Sequence, residues 1–262
     1  MKIKKIKDLR PIALKDHHMP KNYDISLKAY GGGGNAKSLN PIPKKLKTQS
    51  MKGFENQYKN IIDYIVRITF KIWEQKNIGY IYDTYSHDCR VWDEFGLQFG
   101  SEKIVTDTIH TNNAFPNIRL IADEVIWAGD EKASFHTSHR TIITGKNTGF
   151  SKFSAPTGKS VRLLCIANCV AKNNKIYYEN VVYDTAALIK QLGLNVNEIA
   201  KEVADKGNVG PFAPDFKNSK PKRVTSETKP LSFEIPKNIS NVRNFAESVF
   251  NTIWNRRNFS AI

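Results

Sequence analysis

The chain has 262 residues, 40% of them hydrophobic, with 40 Lys+Arg against 25 Asp+Glu. Its apolar runs are only a few residues long, far short of the roughly 20 that a membrane-spanning helix needs, and aromatics at 11% exclude collagen-like, coiled-coil and wholly disordered chains. The formal charge of +15 is unevenly placed: residues 1–55 hold 13 Lys+Arg against 4 Asp+Glu, whereas residues 56–205 hold 17 of each sign.

Residues 1–53 are predicted to be a basic, disordered arm. They contain Gly31 to Gly34 in a row, four prolines and few large apolar side chains, so they bury too little surface to order themselves. The arm reads as a solvated tail, and nucleic acid is not expected as a partner. Its opening, MKIKKIKDLRP, has the basic part of a signal peptide without the apolar stretch that follows one, so no export signal is expected. Cys89, Cys165 and Cys169 have no paired spacing and read as reduced, small apolar residues of a cytoplasmic protein.

From 54 to 82 the pattern is helical, with Ile61, Tyr64, Ile65, Ile68, Ile72 and Trp73 on one broad apolar face. A shorter helix is predicted over 101–113, and the chain turns at Phe115–Pro116. Segments 117–128, 131–144, 160–172 and 175–184 read as strands rich in β-branched and aromatic residues. They are separated by Gly129–Asp130, by a loop over 145–159 and by Asn173–Asn174, a two-residue hairpin turn of residues that tolerate positive φ. A helix over 185–205 follows. Helices first and a meander of long strands after make an α+β order rather than an alternating βαβ one.

Residues 206–237, rich in Pro, Lys and Ser, read as a linker. At an offset of 181 residues, Ile61, Tyr64, Ile68, Ile72, Trp73, Asn77 and Ile81 fall on Val242, Phe245, Val249, Ile253, Trp254, Asn258 and Ile262. Residues 238–262 are therefore expected to be the first helix of a truncated second copy of the domain over 54–205.

Three stretches carry a family resemblance: AFPNIRLIADEVIWAGDEKA (114–133), APTGKSV (155–161) and NKIYYENVVYDTAALIKQLG (174–193). In that order and spacing they resemble the SnoaL-like polyketide cyclases of the nuclear-transport-factor-2-like superfamily, over roughly 56–195. The resemblance implies a curved mixed or antiparallel sheet wrapped around an N-terminal helix, a cystatin-like cone whose mouth is a ligand pocket. It implies acid/base chemistry on a ketone- or ester-bearing small molecule, an enolisation followed by aldol-type cyclisation or isomerisation, with no metal and no organic cofactor. The alternative is a non-catalytic binding or dimerisation module of the same fold, as a homodimer or an internal tandem pair.

The resemblance places the family's acid/base aspartate, shortly before QLG, at Asp184. Alternation along the strand puts Tyr178, Asn180, Val182 and Asp184 on one face and Glu179, Val181 and Tyr183 on the other, so Asp184 is a pocket residue if the first face is concave. Asp184 also stands immediately before a helix, where Asp commonly serves as the N-cap, and both readings remain open. The remaining candidates for the pocket are Asn168, Asn180, His136, Trp92 and Phe115. His136 and His139 fall on opposite faces of their strand, so one points inward and the other outward. The spacing of the histidines gives no metal-site signature, and PTGK lacks the upstream glycines of a phosphate-binding loop.

Overall fold

The computed structural model describes residues 23–25, 48–205 and 242–259. Asn60 starts the first helix by accepting a hydrogen bond from the Asp63 backbone N–H at 2.8 Å, the bond expected of an Asn N-cap. Helix α1 (Ile61–Trp73) then buries Ile61, Tyr64, Ile65, Val66, Ile68 and Ile72 to 3% exposure or less. It is shorter than the predicted 54–82. Residues Met51–Phe54 and Glu55–Tyr58 form turns instead, and Lys76 adopts φ 59, which no helix tolerates. A 3-10 turn (Ile78–Tyr80) and a single helical turn, α2 (Ile81–Thr84), lead into the sheet.

Two strands follow that hydrophobic periodicity does not reveal, β2 (Tyr85–Asp93) and β3 (Gly96–Phe99). Then come α3 (Ser101–Ala114), β4 (Arg119–Asp130), β5 (Ser134–Lys146), β6 (Ser160–Lys172) and β7 (Lys175–Tyr183). Asn173 and Asn174 close the last hairpin at φ 50 and 62, as their type predicts. Gly129 sits at φ 93, where an added Cβ would lie 2.1 Å from the Ser134 carbonyl oxygen, so the β4–β5 turn is closed to side chains at that point. The predicted helix over 185–205 is two helices, α4 (Thr185–Gln191) and α5 (Val196–Asp205), parted by Gly193 at φ 80.

With a strand at Tyr23–Ile25 counted as β1, the sheet runs β1-β4-β5-β6-β7-β2-β3. Every pairing is antiparallel except β7 with β2, which makes it the mixed sheet expected of an α+β fold. Register shifts occur between Ala122 and Glu124, Val170 and Ala171, and Tyr85 and Arg90. Such bulges bend a strand and increase its twist, and here the sheet curves around α1 without closing. The main core lies between them: Phe54, Tyr64, Ile65, Ile68, Phe135 and Ile176 pack together. Phe135 stands edge-on to Phe54 and Trp127, with ring centroids 5.7 and 6.3 Å away.

The chain divides into two compact units, residues 1–213 and 214–262. In the second, helix α6 (Val242–Val249) starts at the residue that the 181-residue offset pairs with Ile61, and a π-helical turn (Phe250–Asn255) follows it. The predicted linker 206–237 lies outside the described residues, as does most of the predicted arm. No helix among the described residues is long and apolar enough to cross a membrane.

Candidate active site

Strand pairing sets which side chains share the concave face. Thr137, Cys169, Glu179 and Val91 stand in one row across β5, β6, β7 and β2; His139, Ala167 and Val181 form the next, and Thr141, Cys165 and Tyr183 the one after. Apart from Thr137, these residues, with Ile65, Ile68 and Trp73 of α1 and Ile104 and Thr108 of α3, line a cavity of about 550 Å³. Phe150 and Glu94 line it while being exposed, which locates its opening. The volume lies within the usual range for small-molecule sites, and the lining is mainly apolar.

Four carboxylates line this mainly apolar space, Asp93, Glu94, Asp107 and Glu179, and of these Glu179 stands within the concave rows of the sheet. Glu179 lies between Cys169 and Val91 in its row, and the Tyr85 hydroxyl donates a hydrogen bond to its Oε2 at 3.0 Å. Burial pushes the Glu179 carboxyl up to about 7, against the smaller opposing effect of the Tyr85 bond. Burial likewise keeps the Tyr85 hydroxyl protonated, so Tyr85 is a donor and Glu179 is poised between acid and base at neutral pH. Burial, and then the charge on Glu179, raise the Cys165 and Cys169 thiols far from reactivity. His139 is also buried and lines the cavity. Desolvation lowers it to about 4, so it is a neutral imidazole, and its Nε2 has no hydrogen-bond partner.

Most of the predicted site residues lie elsewhere. Asp184 is exposed, does not line the cavity and accepts a hydrogen bond from Ala187 N at 3.1 Å as the N-cap of α4. The N-cap reading therefore describes its geometry in this structure. Asn168 and Asn180 face each other across β6 and β7 on the convex side, both exposed, and Asn180 Nδ2 bonds the Tyr178 hydroxyl at 2.8 Å. His136 and Trp92 are half-buried on that same outer side. Phe115 alone of the six lines the cavity.

The correction has one cause: the concave face of β7 is Glu179, Val181 and Tyr183, not the set that contains Asp184. Alternation defines two faces and leaves the choice between them to other signals. The signal was present two strands away. Arg140 and Arg162 stand on the faces of β5 and β6 opposite His139 and Cys165, and exposed arginines mark an outer face. Arg140 pairs there with Asp123 at 2.6 Å. Carrying that parity across the hairpin points Glu179 inward.

No protein-family model matches the sequence, and no curated protein matches it. Solved structures do. A protein named as a SnoaL-like polyketide cyclase, from Jannaschia sp. CCS1, is 15% identical, with 56% of this chain and 99% of that one covered and a TM-score of 0.47. TsrD from Streptomyces laurentii is 13% identical over 51% of this chain and 96% of its own, at 0.46. A Catenulispora acidiphila protein with a ketosteroid isomerase-like fold, solved with trimethylamine, is 17% identical over 51% and 95%, at 0.43. The likeness is one of fold.

Glu179 also links stability to pH. Its folded pKa of about 7 lies above the ordinary value of 4.5, so the native state holds this proton more tightly than the unfolded chain does. The stability that follows is fully present below about pH 4.5 and is lost as pH rises through about 7. Glu179→Gln is expected to abolish this loss, which amounts to at most about 3 kcal/mol. Urea midpoints of both proteins between pH 4.5 and 8 measure it, and an identical pH dependence in the two would contradict it.

Proposed function

We propose that this chain carries out cofactor-independent acid/base chemistry on a ketone- or ester-bearing small molecule, with Glu179 in the role that the motif resemblance gave to Asp184. The observation that carries this reading is the Glu179 carboxylate on the concave face of a mainly apolar cavity, held near pKa 7 by desolvation and bonded by a protonated tyrosine. A base is most effective when its pKa lies close to the working pH. Ionised Glu179 takes a proton from a carbon beside the carbonyl, and the C–H electron pair becomes the new C=C bond of an enolate. The enolate carbon then attacks a second carbonyl of the same molecule, or is reprotonated at another position. Protonated Glu179 returns the proton to the resulting alkoxide or carbon. The cycle balances in protons and electrons without a further reactant.

The test is carbon-bound hydrogen exchange in heavy water over a small panel of β-keto esters and polycyclic aromatic esters. Exchange that requires Glu179 supports the reading, and exchange that survives Glu179→Gln undiminished would sink it.

The outer face of the sheet favours a second, compatible reading, association of two copies. Leu164, Ile166 and Val182 are 49, 42 and 65% exposed, and Ile166 and Val182 are register partners. Large neighbouring apolar side chains left in water are a common mark of an interface. Ile166→Asp is expected to shift the protein to monomer in sedimentation velocity; a wild type that is already monomeric at high concentration would refute this.

A further inference from the structure

Cys165, Cys169 and Val181 line the cavity and are each 6% exposed or less, so a molecule large enough to fill the space does not reach them without movement of its rim. Most of that rim is regular structure. Helix α3 forms one side, and the β2–β3 turn is tied to α4 by the Thr185 hydroxyl, which donates to Glu94 Oε1 at 2.9 Å. The irregular part is the segment between β5 and β6, of which Phe150, Ser151, Lys152 and Phe153 line the cavity.

The two ends of this segment are fastened by hydrogen bonds, and its tip is held by side-chain packing. Asn147 is 0% exposed; its Nδ2 donates to the Ala114 and Gly149 carbonyls at 3.2 and 2.8 Å, and its Oδ1 accepts from the Thr157 N–H and hydroxyl at 2.8 and 3.0 Å. The Asn147 N–H donates to the Lys159 carbonyl, and its carbonyl accepts from the Gly158 N–H, both at 2.8 Å. One buried residue thus holds the two ends to each other and to the end of α3. Among the described residues the tip bonds only itself: the Ser151 N–H donates to the Ser154 carbonyl at 2.9 Å, and the Ser154 N–H to the Ser151 hydroxyl at 3.0 Å. Phe153 rests on the apolar cluster that contains Phe115 and Leu163. Across the mouth the tip meets a single ring of the β2–β3 turn, Phe95, whose centroid lies 4.2 Å from Lys152 Nζ and 6.3 Å from that of Phe153. Phe150 lines the cavity and is nevertheless 76% exposed, an aromatic ring left in water beside a mainly apolar space.

We infer that residues 150–156 are a gate to the cavity: the tip swings about its anchored ends, breaking the Lys152–Phe95 contact to admit a ligand, and Phe150 closes over the ligand once it is inside. A cation–π contact at an exposed site is weak, so it breaks and reforms readily, while a segment with fixed ends returns its tip to one place. Closure of such a segment sequesters a site from water, which preserves the desolvation that an acid/base group in the cavity depends on. The inference rests on the cavity and its rim, and stands whether or not Glu179 is the base.

The cavity carries its own reporters. Cys165 and Cys169 line it, whereas Cys89 is 0% exposed and does not, so labelling of Cys89 requires unfolding and labelling of the other two requires only an open gate. The experiment treats the whole chain with methyl methanethiosulfonate at mildly alkaline pH and follows each cysteine by peptide mass spectrometry. In the wild type, Cys165 and Cys169 are expected to react faster than Cys89. Lys152→Met keeps the length of the side chain and removes its charge, and is expected to speed labelling of the cavity thiols roughly two- to fivefold, the population shift that the loss of one exposed cation–π contact allows. Phe95→Ala removes the Phe153 contact as well and is expected to speed it roughly tenfold. The Cys89 rate is expected to stay unchanged in both variants. Cavity thiols that react no faster than Cys89 in the wild type, or at rates that neither variant changes, would overturn the gate. So would acceleration of Cys89 in step with them in Lys152→Met, which would show unfolding instead.

Discussion

Glu179→Gln is expected to lower the rate of carbon-bound hydrogen exchange by about 100- to 10,000-fold, the range that a positioned general base contributes. Gln occupies nearly the same volume and still accepts the bond from Tyr85, so the cavity and its lining are retained and only the proton acceptor is removed. In the wild type, the exchange rate at low substrate concentration is expected to rise with pH through about 7 and then level off, because the carboxylate is the active form and burial sets its pKa there. The Tyr85 bond stabilises the charged form, so Tyr85→Phe should move that inflection upward. Asp184→Asn should leave both rate and inflection unchanged, since Asp184 is exposed and occupied as a helix cap. A rate that falls with Asp184→Asn and not with Glu179→Gln would reverse the assignment.

The second large effect concerns the fold. Asp63 and Arg67 are 0 and 8% exposed and lie one helical turn apart on α1. The guanidinium donates from Nε and Nη2 to the two carboxylate oxygens at 2.8 and 2.7 Å, and the Lys59 N–H donates to Oδ2 at 2.9 Å. Arg67 also donates to the Gln57 carbonyl and lies over the Tyr58 ring, 4.7 Å from its centroid. Removing one member of such a pair leaves a buried charge uncompensated. Asp63→Ala is therefore expected to cost about 3–5 kcal/mol of stability, whereas replacing both members by apolar residues should cost much less. Chemical denaturation of Asp63→Ala, and of Asp63→Ala combined with Arg67→Leu, measures both. A loss below about 1 kcal/mol in the single variant would show that water reaches the pair.

Sequence carried the architecture further than the site. The apolar face of α1, the long β4–β7 strands and the Asn173–Asn174 turn are written in local periodicity and turn chemistry, and each is found close to its expected place. The strands β2 and β3 are not legible in that way. β2 has an irregular exposure along its length, and it pairs in parallel with β7, a contact some 90 residues distant that no local pattern encodes. The cavity-facing side of β7 was missed through parity. The motif drew attention to Asp184, whose position before α4 is explained by backbone capping alone. Glu179, in the middle of an apolar strand, fits poorly on a solvent-facing side once Arg140 and Arg162 are seen to define the outside. His139 follows from the same parity.

The most direct measurement is a titration of the Glu179 side-chain carboxyl by ¹³C NMR, with Glu179→Gln used to assign its resonance. A midpoint near 7 is expected, well above the ordinary 4.5, because the group is desolvated in the cavity and one tyrosine bond offsets only part of that effect. A midpoint at or below 4.5 would mean that the carboxylate is solvated or paired, and the acid/base reading of the cavity would fall with it.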